Sequence, residues 1–231
     1  MPTAWGACTP GGPSRPGQGS RGPSVSADLA SSSFSTAATR RSTSVLSPVF
    51  TSYTDPLTPH VTGSVNQLLG LNNAGVAVGF YTDARGHSHA YQLNQATGQF
   101  TPIHVPGASV VATGINNNGA IVGFATDTAG TTASWLKIGT ATTAFQFPGG
   151  TDTQALGINT KNQIVGSYLD SHGALHGFVL TNPLGPVSHW QTIDDPNGAG
   201  TTVVNGINTA GDLAGFYTDT AGNTHGMLAT P

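Results

Sequence analysis

A short segment of the type Gly-Ile-Asn occurs four times along the chain, at spacings of 44, 43 and 49 residues. Other residues recur at fixed distances from its first glycine: a glycine nine positions later, an aspartate thirteen positions later and another glycine sixteen positions later. The four copies are residues 70–72, 114–116, 157–159 and 206–208. This period predicts stacked copies of one structural unit, because a single unit buries its apolar face only against its neighbours.

Each repeat has the pattern of four short strands separated by turns. An Asn-x-x-Gly turn follows the repeated segment, because asparagine can bond the backbone two residues on and glycine accepts a positive φ. In the third repeat Asn162 replaces the glycine and also tolerates the left-handed conformation. An Asp-x-x-Gly turn then joins a second strand to a third, and the fourth strand ends near a proline such as Pro106 or Pro196. Four antiparallel strands in about 45 residues are typical of a β-propeller blade.

The predicted fold class is therefore all-β, a four-bladed β-propeller of four-stranded antiparallel blades within residues 45–231. The repeat units lie near 63–105, 106–147, 148–195 and 196–231. The last unit holds only three strand patterns, whereas residues 50–55 resemble an isolated fourth strand. We expect this N-terminal strand to join the last blade and close the ring, which removes an exposed sheet edge. A larger or assembled propeller and another β architecture, such as an open solenoid, are the alternatives.

Residues 1–44 differ from the rest in composition and charge. They are mostly Gly, Pro, Ser, Ala and Arg and have too few apolar residues to offset the entropy of ordering, so we predict a disordered low-complexity tail. They contain no signal peptide core, and no stretch of the chain approaches the roughly 18 apolar residues of a membrane span. Four Arg and one Asp give the tail a formal charge of +3, whereas three basic residues and nine Asp give residues 45–231 a charge of −6. The acidic repeat region argues against a nucleic acid as partner.

The repeats resemble the HAF-type extracellular repeat, a bacterial tandem-repeat family with the pattern Gly-Ile-Asn-Asn-x-Gly-x-Val-Val-Gly followed by His-Ala-Phe. The resemblance covers about residues 50–231. The triplets at the position that names the family are His89-Ala90-Tyr91, His176-Gly177-Phe178 and His225-Gly226-Met227, and Ala133-Ser134-Trp135 departs from it. The resemblance implies an exported protein, and it brings no established reaction, cofactor or catalytic residue.

The residues themselves give no catalytic motif. The chain has no Glu, and Asp194 and Asp195 are adjacent on a strand pattern, so their side chains would point to opposite faces. The aspartates of the Asp-x-x-Gly turns are expected to cap those turns rather than bind Ca²⁺, and the repeated histidines to make structural hydrogen bonds. We therefore predict no catalytic residue, no metal and no cofactor.

The predicted function is that of a non-catalytic extracellular repeat protein, a monomeric binding or scaffold module for a glycan or a cell-surface component. The alternative is a hydrolase or lyase that acts on a polysaccharide, with a site that spans several blades. Variation between repeats is concentrated in the Asp-x-x-Gly turns and in the connections after the fourth strands, which lie at one face of a propeller. The candidate ligand-binding residues on this face are Arg85, His87, His60 and His172.

Overall fold

The computed structural model describes residues 50–198 and 200–231, which form fifteen β-strands in four antiparallel sheets. The first sheet consists of β1 (Asn66–Leu71), β2 (Val76–Thr82), β3 (Ser88–Asn94) and β4 (Gln99–Pro102). The second consists of β5 (Ser109–Ile115), β6 (Ile121–Thr126), β7 (Thr132–Ile138) and β8 (Ala141–Phe145). The third consists of β9 (Thr151–Ile158), β10 (Ile164–Leu169), β11 (Leu175–Thr181) and β12 (His189–Ile193), and the fourth of β13 (Val203–Ile207), β14 (Leu213–Thr218) and β15 (Thr224–Ala229).

The sheets are arranged in a ring as the blades of a four-bladed β-propeller, which confirms the predicted fold class. Within each blade the strands pair in chain order, and the first strand packs against the preceding blade. The predicted disordered tail, residues 1–44, lies outside the described residues. In the part of the chain that the structure describes, no helix is long and apolar enough to cross a membrane.

The Asn-x-x-Gly turns form as the sequence predicts. The Asn72 side-chain Oδ1 accepts hydrogen bonds from the backbone N–H groups of Ala74 and Val76, both at 3.0 Å. Gly75 has a φ of 73° and Asn162, its counterpart in the third blade, has a φ of 58°. The turn thus needs a residue that adopts the left-handed conformation, and Asn162 does so in place of glycine.

The glycine nine positions after the repeated segment begins is required by a close backbone approach. The first strand of every blade has a register shift next to this glycine's pairing position. A Cβ added to Gly123 would lie 1.9 Å from the carbonyl oxygen of Val111, and the corresponding distances in the other blades are 1.8 to 2.0 Å. No side chain fits in this space, so the recurrence of glycine follows from packing within the blade.

Most of the apolar core lies between neighbouring blades. Val78 of the first blade packs in one cluster with Ala112 and Trp135 of the second. Val165 of the third blade packs in another with Val204 and Met227 of the fourth. Each blade therefore depends on its neighbours for burial of its apolar faces.

The repeated asparagines also link neighbouring blades. Asn72 Nδ2 donates to the backbone oxygen of Asn116 at 3.2 Å, and Asn116 Nδ2 donates to that of Asn159 at 2.9 Å. Asn159 Nδ2 continues the series to the backbone oxygen of Asn208 at 2.9 Å. The first three of these asparagines are buried, so each amide satisfies a carbonyl that water does not reach.

The predicted closing strand is wrong. The last blade has three strands, and residues 50–55 pair with none of the strands in the described chain. Instead Tyr53 packs against Ala77, Tyr91 and Leu93 of the first blade, and its hydroxyl donates to the backbone oxygen of Gln95 at 3.3 Å. The segment takes this position because Ala77, Tyr91 and Leu93 of the first blade offer an apolar surface that the Tyr53 ring covers.

Removal of the asparagine link between blades should destabilise the protein measurably. Asn116→Ala deletes two capping hydrogen bonds and also the Nδ2 bonds to Asn159 O and Asn162 Oδ1. We expect a loss of about 2–3 kcal/mol in the free energy of unfolding, because buried partners lose their donor. Urea unfolding followed by tryptophan fluorescence measures it.

Asn94→Ala is the matched control for this prediction. Asn94 also caps a turn with two backbone N–H groups, but the turn is exposed and its amide makes no bond to another blade. Its loss should cost about 1 kcal/mol or less. Equal effects of the two substitutions would contradict the structural role of the link.

Candidate functional site

The Asp-x-x-Gly turns between the second and third strands share one hydrogen-bonding arrangement. In the first blade Asp83 Oδ1 accepts from the backbone N–H groups of Arg85 at 2.8 Å and His87 at 3.0 Å. The same two bonds form at Asp127, Asp170 and Asp219. The expectation that these aspartates cap their turns is confirmed.

The second carboxylate oxygen of three of these aspartates contacts the repeated histidine. His89 Nε2 lies 3.0 Å from Asp83 Oδ2, and His225 Nε2 lies 2.8 Å from Asp219 Oδ2. Each histidine ring also stacks on a tyrosine of the second strand, with ring centroids 5.1 Å apart for Tyr81 and His89. The structural hydrogen bonds predicted for the histidines are confirmed, and a Tyr-His-Asp group results in three blades.

The third blade modifies this group. His176 lies between two carboxylates, with Nδ1 at 3.0 Å from Asp194 and Nε2 at 3.5 Å from Asp170 Oδ2. Its ring stacks on Tyr168 at 5.3 Å. Both ring nitrogens therefore face acceptors, which holds this histidine in one orientation.

The hydrogen bonds shift the aspartates toward the ionised form. The bond from His89, followed by those from the turn backbone, lowers the pKa of Asp83 from 3.8 to about 2. The bond from His225 likewise holds the pKa of Asp219 well below its usual value, and backbone bonds led by Ala174 lower that of Asp170. These carboxylates are ionised at neutral pH, whereas a general acid needs a pKa near the working pH.

A cleft of about 310 Å³ opens beside the first of these groups. Tyr81 and His89 form one wall, the chain before the first blade contributes Asp55, and the connection to the second blade contributes His104. Asp55 is buried, and its Oδ1 accepts from the backbone N–H of Leu57 at 2.8 Å. Burial, with the charges of Asp55 and Asp83 as lesser causes, raises the pKa of Tyr81, so its phenol stays protonated.

Tyr91 forms the floor of the cleft. Its side chain is 1% exposed, and its hydroxyl donates to Asn66 Oδ1 at 2.6 Å. Burial raises its pKa to about 12, with the charge of Asp55 as a smaller cause. The floor is therefore fixed and uncharged, while the walls carry the groups that a ligand would meet.

The four residues predicted from the sequence lie in exposed loops. Arg85 and His87 share the Asp83 turn of the first blade, immediately before the strand that carries His89. His172 occupies the equivalent turn of the third blade, and His60 lies in the loop before β1. Among the described residues, no hydrogen bond or ion pair joins His60 or His172 to the Arg85 turn. The structure thus places Arg85 and His87 together in the turn that precedes the cleft residues Ser88 and His89, and none of the four predicted residues lines the cleft itself.

Sequence reasoning missed the cleft residues Asp55, Tyr81 and His104. His104 has no counterpart at the equivalent position of the other repeats. This was a signal in the sequence for a functional residue, because a residue present once on a repeated scaffold can form a single site. Asp55-Pro56 matches Asp195-Pro196 in sequence, and both aspartates cap the turn that follows. Tyr81 was treated only as part of a strand.

No known protein-family model matches the chain. A search of curated proteins gives no match either.

His89→Ala should raise the pKa of Asp83 toward its usual value of 3.8, because the hydrogen bond from His89 is the largest cause of the lowered value. A group whose folded pKa is lowered stabilises the fold above its unfolded pKa, and this contribution disappears as the pH falls toward 2. In the variant the carboxylate should therefore titrate at higher pH. Carbon-13 NMR of the Asp83 carboxyl between pH 6 and the acid limit of the fold measures the change.

The control is His104→Ala, which removes a histidine from the same cleft without removing a bond to Asp83. It should leave the Asp83 titration unchanged. An identical Asp83 curve in the His89 variant and in the original protein would refute the assigned cause.

Proposed function

We propose that this chain is a non-catalytic binding module that acts outside the cell and holds a carbohydrate in the cleft of the first blade. The observation that carries the proposal is the make-up of that cleft. The cleft combines the stacked rings of Tyr81 and His89 with one polar side chain from each of two connecting segments, Asp55 and His104. The neighbouring Asp83 carboxylate is bonded to the backbone of its own turn and to His89.

A carbohydrate suits such walls chemically. A sugar ring presents an apolar C–H surface, which packs on aromatic rings, and hydroxyl groups, which both donate and accept hydrogen bonds. Tyr81 and His89 offer ring surface, and His104, Ser88 and the Tyr81 hydroxyl offer hydrogen-bonding groups. Binding sites generally join an apolar lining with a few placed polar groups in this way.

The binding role is favoured over hydrolysis by the state of the carboxylates. A glycosidase of the usual kind needs one carboxyl group that stays protonated near the working pH and a second that acts as base or nucleophile. The pKa of Asp83, beside the cleft, is lowered to about 2, and the chain contains no Glu. These properties support a site that retains its ligand without cleaving it.

The extracellular location is supported by the resemblance of the histidine triplets to an exported repeat family. Fractionation of cells that express the full chain tests this part of the proposal separately. Recovery of the protein from the medium or the cell surface would support it, and retention inside intact cells would contradict it.

Ligand binding by the full chain can be tested on a panel of soluble polysaccharides, with affinity measured by calorimetry. His104→Ala should weaken binding about tenfold, a loss of about 1.4 kcal/mol, because it removes a polar group from the cleft wall. The fold should be unaffected, since His104 is exposed. A double substitution of Arg85 and His87 by Ala tests whether the adjoining turn also contributes.

The matched control is His172→Ala, an exposed histidine in the equivalent turn of the third blade. It should leave affinity unchanged. Loss of binding in this variant with no loss in His104→Ala would place the ligand elsewhere, and release of reducing or unsaturated sugars from the panel would show an enzyme instead.

A further inference from the structure

The three internal blade junctions are built alike. A residue of each first strand, two positions before the first glycine of the repeated segment, inserts against the preceding blade. These residues are Ala112, Ala155 and Val204, and all three are fully buried at 0% exposure. Ala112 packs in one cluster with Val78 and Ala90 of the first blade. Each junction thus has an inserting half and a receiving half.

The first and last blades each carry one half that the described chain leaves uncovered. Leu68 occupies the inserting position in the first blade and is 42% exposed. In the last blade Leu228 occupies the receiving position held by Leu136 and Val179 in the middle blades. It is 83% exposed, whereas Leu136 and Val179 are 2% and 8% exposed. The inserting side of the first blade and the receiving side of the last blade are therefore the two halves of an interface. The same type of interface forms at each of the three internal junctions.

The backbone contacts end at the same place. A Cβ added to Gly70, Gly114 or Gly157 would lie 3.0, 3.4 or 3.2 Å from the Cα of the corresponding glycine in the next blade. A Cβ added to Gly206 would meet nothing within 4 Å among the described residues. Among the described residues, the first and last blades therefore lack the glycine contact that joins the other blades.

The series of asparagine bonds between blades ends at Asn208, whose side-chain amide bonds within its own blade. Asn208 Nδ2 turns back to Asp212 Oδ2 at 2.7 Å, where its three counterparts donate to the next blade. Asn208 is exposed, and Asn72 at the other end has a backbone oxygen in the position that accepts at each internal junction. A blade placed after the fourth in the same way would complete this bond.

The uncovered halves are also complementary in size. At the first junction an alanine, Ala112, inserts against Val78 and Ala90. At the third, the larger Val204 inserts against a face that has Gly177, where a Cβ would lie 2.7 Å from Val204 Cγ2. The inserted side chain is larger where the receiving face is smaller.

The free halves follow the same rule. The inserting residue is Leu68, larger than any internal counterpart, and the receiving face has Ala214 where the other blades have valine, together with Gly226. Such a match is expected of surfaces that pack together, because protein interfaces reach the packing density of interiors.

The segment before the first blade resembles the segment that joins the third blade to the fourth. Asp55 Oδ1 accepts from Leu57 N at 2.8 Å, and Asp195 Oδ1 accepts from Asn197 N at 2.9 Å in the connection between the third and fourth blades. Residues 50–53 thus precede the first blade as β12 precedes the last blade, yet Phe50 is 89% exposed. The last blade has the opposite deficit, since it lacks a fourth strand beside β15.

We propose that a second copy of this chain docks head to tail, with its first blade against the last blade of the first copy. Leu68 of the incoming copy inserts over Ala214, Gly226 and Leu228, and its residues 50–53 leave their contact with Ala77, Tyr91 and Leu93 to pair with β15. Because the two surfaces differ, the contact repeats from copy to copy until it closes on itself. The smallest closed product is a dimer in which both junctions between the two copies are filled.

The test is native mass spectrometry and light scattering on the full chain over a range of concentrations. The original protein should form dimers, and concentration-dependent larger species would equally support head-to-tail docking. Leu228→Asp and Leu68→Asp should each abolish the closed dimer, while Leu184→Asp, which changes an exposed leucine outside both surfaces, should leave it intact. Circular dichroism of the variants checks that the fold is kept, since all three leucines are exposed.

A mixture of the two disrupting variants gives the sharper result. Leu68→Asp retains an intact last blade and Leu228→Asp an intact first blade, so together they can form one junction. A heterodimer in the mixture, absent from either variant alone, is expected of a head-to-tail contact. A monomer at every concentration, as closure of the ring within one chain would give, or an oligomer that neither variant affects, would overturn the proposal.

Discussion

The close approach of the first strands near the ring axis is the contact on which the rest of the structure depends. Gly70, Gly114 and Gly157 allow the backbones of successive first strands to approach closely, and one asparagine in each of the first three blades bonds the next blade at the same level. A side chain in place of Gly70 or Gly157 would push neighbouring blades apart, because its Cβ would lie 3.0 or 2.9 Å from a backbone atom of the next blade. The receiving valines would then lose the residues that cover them, because these valines lie in clusters that are shared between two blades.

The sequence predicts most of the fold because this contact recurs. Asparagine, glycine and aspartate return at fixed spacings because each supplies a turn cap, a positive φ or a close backbone approach, and these local requirements can be read without a structure. Asn162 illustrates this, since its left-handed conformation follows from its position alone. The order of the strands within each blade and the four-blade organisation were accessible for the same reason.

The fate of residues 50–55 was not accessible. These residues have the sequence pattern of a fourth strand, and they precede an Asp-Pro turn as β12 does. The pattern alone does not identify the surface that the segment contacts when two apolar surfaces are available. The cleft was missed for a related reason. Its walls combine Asp55, Tyr81 and His104 from three separate segments, and no linear motif reports such a combination. Arg85 and His87 could be proposed as candidate binding residues because exposed turn residues that differ between repeats can be recognised in the sequence.

The junctions have a consequence for how chains of this kind can change. In the described part of the chain, the main contacts between blades join neighbours in the chain through equivalent positions at each junction. Loss or gain of one whole repeat would therefore remove or add one blade and one junction while the remaining junctions keep their geometry, as in other solenoid and array proteins. Length in such a lineage can vary in steps of one repeat by unequal recombination, whereas an insertion inside the 70–79 region would break the register on which every step relies.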